Sequence, residues 1–181
     1  MSNKTKTLLP DWVQNGFVKM LTPIIKIFIK MKFHPNTFTV WGLILSAFGG
    51  FLFAIGQIPL GGTFILLGGI CDILDGKIAR ETGKVSKFGA LFDSSLDRYA
   101  EVFMFLGVAI FLERNEYFIS SIMIFIALGG STMVSYVRAR AEGLGYDCKV
   151  GLLQRPERVV LIGISALFGS FLDYYILIGA V

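Results

Sequence analysis

Apolar residues run through this chain in long blocks, and the charged residues fall between the blocks or crowd one end of them. Residues 38–56 carry no charge, and at about 1.5 Å per helical residue that block nearly crosses a hydrocarbon core of about 30 Å. It predicts a first transmembrane helix. After a break at Gln57-Ile58-Pro59, a second block from Leu60 to about Ile78 is apolar at first and then acquires Asp72, Asp75 and Lys77. A third, Phe88 to Leu112, has the opposite polarity, with Asp93, Asp97, Arg98 and Glu101 in its first half. Residues 117–137 form a fourth, uncharged and followed by Arg138 and Arg140, while Val159 to Leu172 starts a fifth and Tyr174 to Val181 a sixth. The eight residues of that last piece are too few to cross a bilayer, so the sixth helix is expected to be incomplete.

Residues 1–36 follow another pattern. Val18, Met20, Leu21, Ile24, Ile25, Ile27, Phe28 and Ile29 interleave with Lys19, Lys26, Lys30 and Lys32 at helical spacing, as in an amphipathic helix lying on a membrane surface. No cleavage-site pattern follows a compact apolar core, so the segment does not read as a signal peptide. The expected fold is all-α: a polytopic membrane bundle of about six transmembrane helices in residues 37–181, preceded by an N-terminal arm and amphipathic surface helix in residues 1–36.

Composition agrees with this pattern. Of 181 residues, 54% are hydrophobic and 17% charged, against the roughly 45–50% apolar share of soluble domains. Disorder is excluded, because it requires low hydrophobicity and high charge. Cys71 and Cys148 are too few for a disulfide framework and lack metal-binding spacing. The net charge of +4 hides an uneven distribution. Lysine and arginine gather in the N-terminal arm, in residues 80–87 and in residues 138–158, whereas the opposite loops contain only Arg114. Short basic loops lie in the cytoplasm, which predicts a multi-pass protein of the cytoplasmic membrane with both termini and all its unusual polar residues on the inner side. Lipid is the expected surrounding partner, and no nucleic-acid partner is expected.

Ionisable residues inside membrane segments are costly and by default functional. Asp72 and Asp75 lie three apart, Asp93 and Asp97 four apart, so each pair shares a helix face. The short connection between the second and third helices makes them expected antiparallel neighbours whose acidic faces meet. Four carboxylates at close quarters call for compensation, and oxygen-rich sites suit Mg²⁺, Mn²⁺ or Ca²⁺. The single histidine, His34, lies elsewhere, which argues against zinc. Gly76 and Gly89 remove side chains beside the carboxylates, Ala79 keeps the same face small, and Arg80 offers a fork suited to phosphate. Carboxylates for metals, an arginine for phosphate and small residues for room together describe a nucleotide-diphosphate site.

The run Asp72-Ile-Leu-Asp75-Gly76-Lys-Ile-Ala79-Arg80, followed after eight residues by Gly89 and then by Asp93 and Asp97, resembles at every fixed position the signature of the CDP-alcohol phosphatidyltransferases. Eight specified residues within 26 positions make this a specific match, and the six-helix organisation extends it over almost the whole chain. The resemblance implies displacement of CMP from a CDP-linked lipid, usually CDP-diacylglycerol, by an alcohol hydroxyl. It implies that Asp72, Asp75 and Asp93 bind a pair of divalent ions, Mg²⁺ or Mn²⁺. Asp97 would complete the metal site and act as general base, Arg80 would hold the diphosphate, and Gly76, Ala79 and Gly89 would make room for the nucleotide. A homodimer is implied as well.

Arg138, Arg140, Arg155 and Arg158 stand at or near helix ends. An arginine cluster recognises phosphate, and a neutral alcohol would need none. Tyr136-Val-Arg138-Ala-Arg140-Ala-Glu142 and Arg155-Pro156-Glu157-Arg158 resemble the acceptor region of the prokaryotic phosphatidylinositol-phosphate synthases, which implies an inositol phosphate acceptor bound by the four arginines. Glycerol 3-phosphate is the competing anionic alcohol. The reading outside this class is a divalent-cation transporter, which would place its polar groups near the bilayer midplane. Here they lie toward one face.

Overall fold

The computed structural model describes residues 11–146 and 154–168. All regular structure among them is helical: α1 (Asp11–Lys30), α2 (Pro35–Ala54), α3 (Ile58–Glu81), α4 (Lys87–Arg114), α5 (Phe118–Gly143) and α6 (Arg155–Phe168). The expected start of a sixth transmembrane helix at Tyr174 lies outside the described residues.

Local chemistry sets the boundaries. His34 caps α2, its Nδ1 accepting from the backbone N–H of Asn36 at 3.3 Å, with Pro35 in the first turn. The sole histidine is thus a capping residue. Ser86 caps α4, its Oγ accepting from the N–H of Gly89 at 2.9 Å. Gly56, Gly83 and Gly145, at φ +85°, +67° and +85°, follow the ends of α2, α3 and α5, the left-handed position that stops a helix and satisfies its last carbonyls.

Several expected boundaries shift, each for a physical reason. Ile58 and Pro59 are not a break but the first residues of α3, since proline's missing N–H costs nothing in a first helical turn. Helix α5 continues past Val137 to Gly143, carrying Arg138 and Arg140 on its final turns. Charged residues are tolerated there because a helix end can deliver long side chains to the interface. Helix α6 begins at Arg155 rather than at Val159, with Pro156 in its first turn and Glu157 Oε2 accepting from the Gln154 N–H at 2.8 Å.

Helices α2, α3 and α5 are long and apolar enough to cross a membrane, and α4 has 28 residues with its charges confined to one half. The outward faces are strongly apolar: Trp41 is 54% exposed and Ile119 77%. Such a surface belongs against lipid. The chain is therefore a helical membrane protein, and its helices associate as membrane helices do, through small residues that let backbones approach. A Cβ on Gly107 of α4 would stand 2.0 Å from the carbonyl oxygen of Gly50 on α2. One on Gly62 of α3 would stand 2.8 Å from that of Gly163 on α6.

Helix α2 packs against both α3 and α4, α3 against α6, and α4 against α5. A core of Phe53, Ile58, Ile65, Met104, Val108, Leu112 and Ile162 joins these layers. Leu21 and Ile25 of α1 pack on Phe38, Leu74 and Ile78. The acidic faces of α3 and α4 meet as expected, although the two backbones have at most marginal contact and α2 stands beside both. Close packing on α2 through glycines leaves the two acidic segments facing one another across a gap spanned by side chains.

Candidate active site

The gap between α3 and α4 brings the aspartates together. Asp72, Asp75 and Asp93 each offer a carboxylate oxygen, and the three oxygens lie within 4.8 Å of one another. Asp75 is buried, and its Oδ2 accepts from Thr39 Oγ1 of α2 at 2.8 Å. Asp97, one turn beyond Asp93, is ion-paired with Arg155 Nη1 at 2.7 Å, and the same Nη1 donates to Asp72. Arg155 thus crosses from the first turn of α6 to tie α3 to α4.

Among the described residues the charge balance is incomplete. Unit charges 4 Å apart repel by about 4 kcal/mol at an effective dielectric of 20, and four carboxylates gather around a single bridging guanidinium. Asp93 Oδ1 is buried with no hydrogen-bond partner. A buried anionic oxygen without a donor is expensive. Three close carboxylate oxygens, one of them on the residue with an unpartnered oxygen, are the donor chemistry of an oxygen-liganded divalent cation. The residues present fit Mg²⁺ or Mn²⁺.

The other expected site residues are placed as follows. Arg80 is exposed and lies across Gly76: a Cβ on that glycine would stand 3.1 Å from Arg80 Nη2 and 3.4 Å from Nη1. Ala79 is half-buried beside it. A Cβ on Gly89 would stand 3.0 Å from Ser86 Oγ and 3.8 Å from Asn36 Oδ1, so this glycine keeps the cap of α4 open. The four arginines divide into two pairs. Arg155 and Arg158 are drawn inward, to Asp72 and Asp97 and to Glu101 respectively. Arg138 donates through Nε to Glu142 at 3.1 Å on the outer surface, and Arg140 is exposed near the end of α5.

Thr39, Glu101, Arg98, Ser131 and Ser135 were not singled out by the sequence. Glu101 is buried and bonded to Arg98, Arg158 and Ser131. Its signal was present in the four-residue spacing Asp93, Asp97, Glu101, one acidic stripe along α4. Thr39 gave no signal, because a threonine in an apolar helix usually bonds its own backbone. Beside Asp72, Cys71 lines an apolar cavity of about 270 Å³ with Phe28, Phe38 and Trp41, consistent with its reading as a small apolar residue.

These features define a polytopic helical membrane protein with an oxygen-donor cluster near one end of its helices. The sequence profile of the CDP-alcohol phosphatidyltransferases matches residues 32–181; the chain belongs to that family and is an enzyme of that class. It is 36% identical over 152 residues to the archaetidylinositol phosphate synthase of Pyrococcus horikoshii, covering 83% of this chain and 78% of that protein. Its fold is similar to that of the Mycobacterium tuberculosis phosphatidylinositol phosphate synthase solved with CDP-DAG bound. That match has a TM-score of 0.79 and 28% identity, and covers 90% of this chain and 84% of the other. The same mycobacterial enzyme solved with manganese and citrate matches with a TM-score of 0.76 and 28% identity, over 88% and 78% of the two chains. Family membership sets aside the transporter reading.

Proposed function

We propose that this CDP-alcohol phosphatidyltransferase moves a phosphatidyl group from CDP-diacylglycerol to a hydroxyl of inositol phosphate, releasing CMP, on the cytoplasmic side of the cell membrane. The observation that carries the reading is the convergence of Asp72, Asp75 and Asp93 within 4.8 Å beside an Asp97–Arg155 pair at 2.7 Å. Relatives named as inositol phosphate lipid synthases support the choice of acceptor.

Asp72, Asp75 and Asp93 hold divalent cations, with Asp97 completing the set. When bound, these ions neutralise charge on the diphosphate and on the departing CMP. Thr39 fixes one oxygen of Asp75. Arg80 holds the diphosphate over the space that Gly76, Ala79 and Gly89 leave clear, and an acyl chain of the lipid enters the apolar cavity beside Cys71. The acceptor's phosphate is drawn by Arg155 and Arg158 from within the bundle and by Arg138 and Arg140 from the surface. Asp97 takes the acceptor's hydroxyl proton. The hydroxyl oxygen then bonds to the lipid-side phosphorus, and the bond from that phosphorus to the bridging oxygen breaks, its electron pair leaving with CMP. Two copies of the chain form the working unit.

Release of radiolabelled CMP from CDP-diacylglycerol in membranes containing Mg²⁺ or Mn²⁺ tests this directly. Inositol phosphate is expected to stimulate release, and Asp97→Asn to reduce it at least about a hundredfold. Stimulation by glycerol 3-phosphate alone would overturn the acceptor, and full activity of Asp97→Asn would overturn the base.

A further inference from the structure

One turn beyond Asp97 stands Glu101, the most buried polar residue among those described. The Glu101 side chain is 1% exposed. Its Oε1 accepts from Arg158 Nε at 2.9 Å, from Arg158 Nη2 at 2.6 Å and from Ser131 Oγ at 2.7 Å. Its Oε2 accepts from Arg98 Nη1 at 2.9 Å, which also donates to Ser135 Oγ at 2.7 Å. Arg158 Nη2 donates to Ser131 Oγ at 2.6 Å as well. One carboxylate therefore joins α4, α5 and α6, and two guanidinium groups share it. A charge this deep in an apolar bundle persists where its partners are fixed, and such residues mark functional sites by default.

The arrangement is a ladder of two rungs. Asp97 meets Arg155 at 2.7 Å and Glu101 meets Arg158 at 2.6 Å, with the acidic residues four apart on α4 and the arginines three apart on α6. The backbones of α4 and α6 have at most marginal contact, so these long side chains make the direct link between them. The buried rung fixes the first turn of α6, and with it the arginines, against the carboxylate cluster.

We infer that Glu101 is a positioning residue for the anionic acceptor. It grips Arg158 along the Nε–Nη2 edge and acts through that guanidinium without touching the acceptor. The inference rests on the proposed reading of Arg158 as an acceptor contact.

The test is a kinetic cycle on the full chain in membranes, using inositol phosphate as the variable substrate. Glu101→Gln keeps the shape and removes the charge. It is expected to raise the KM for inositol phosphate about tenfold or more, while the KM for CDP-diacylglycerol stays within about twofold. In the Arg158→Gln background the same substitution is expected to add nothing. Ser131→Ala, which removes only the neutral bridge, is expected to raise the same KM by about threefold, and it carries the test if the glutamine variant does not fold. A loss confined to kcat and melting temperature with the acceptor KM unchanged overturns the proposal, as does full additivity with Arg158→Gln. A wild-type protein that saturates with neither inositol phosphate nor glycerol 3-phosphate overturns the functional reading beneath it, a different result from a normal wild type with a silent Glu101→Gln.

Discussion

Replacing Thr39 by valine removes one hydroxyl from a side chain that touches no substrate in the proposed mechanism, yet a large change in metal dependence is expected. Thr39 and Asp75 are each 5% exposed, and the hydroxyl donates to Asp75 Oδ2 at 2.8 Å. A hydrogen bond to a charged group contributes about 1.5–3 kcal/mol, and a buried acceptor that loses its donor is not rehydrated at no cost. The 2.8 Å length is ordinary for an O–H···O contact, so we take about 2 kcal/mol, which at 1.4 kcal/mol per decade is roughly thirtyfold. Loss of a group that orients a metal-binding carboxylate independently costs about 10–100-fold in affinity. The two estimates agree. The assay is the concentration of Mn²⁺ giving half-maximal CMP release, together with Mn²⁺ binding followed by electron paramagnetic resonance. Both are expected to move by about thirtyfold in Thr39→Val and to return to near wild type in Thr39→Ser. An unchanged Mn²⁺ midpoint in Thr39→Val would refute the assignment of Asp75 to the metal site.

Gly107→Ala puts a methyl group 2.0 Å from the backbone oxygen of Gly50, which only separation of α2 and α4 can relieve. It is expected to cost at least about 3 kcal/mol, read as a collapse of the melting transition in detergent. Gly76→Ala should act in the opposite sense on stability. Alanine favours a helix interior by about 0.5–1 kcal/mol over glycine, while its Cβ, 3.1 Å from Arg80 Nη2, shifts the guanidinium, so a slightly higher melting temperature and a several-fold higher KM for the CDP-lipid are expected. Arg155→Gln breaks ion pairs with Asp72 and Asp97, whose side chains are 25% and 16% exposed. The loss in chelator is expected near the lower end of about 3–5 kcal/mol, with divalent ions restoring most of it, so the Mn²⁺-induced rise in melting temperature should exceed that of wild type.

Much of this was legible in the residues. Long apolar blocks, uncharged in α2 and over most of α5 and charged only toward one end in α3, predicted the course of these helices, because a bilayer demands apolar length before anything else. The aspartate spacings predicted the acidic faces, and the short connection between the two helices predicted that they meet. What the sequence did not carry was the set of partners. Arg155 and Arg158 read with Arg138 and Arg140 as one cluster for an anionic acceptor, and nothing in the sequence showed that beginning α6 at Arg155 pairs the first two with Asp97 and Glu101. Nothing along the chain relates α6 to α4, since their link is made of side chains reaching across a gap. The separation of α3 from α4 was equally hidden, because it depends on Gly50 meeting Gly107 on another pair of helices.

The decisive measurement is transfer of label from inositol phosphate into chloroform-extractable lipid with CDP-diacylglycerol and Mn²⁺. Incorporation matched by CMP release is expected, abolished by chelation and reduced at least about a hundredfold in Asp93→Asn. Incorporation that survives chelation or Asp93→Asn, or label entering lipid only from glycerol 3-phosphate, would contradict it.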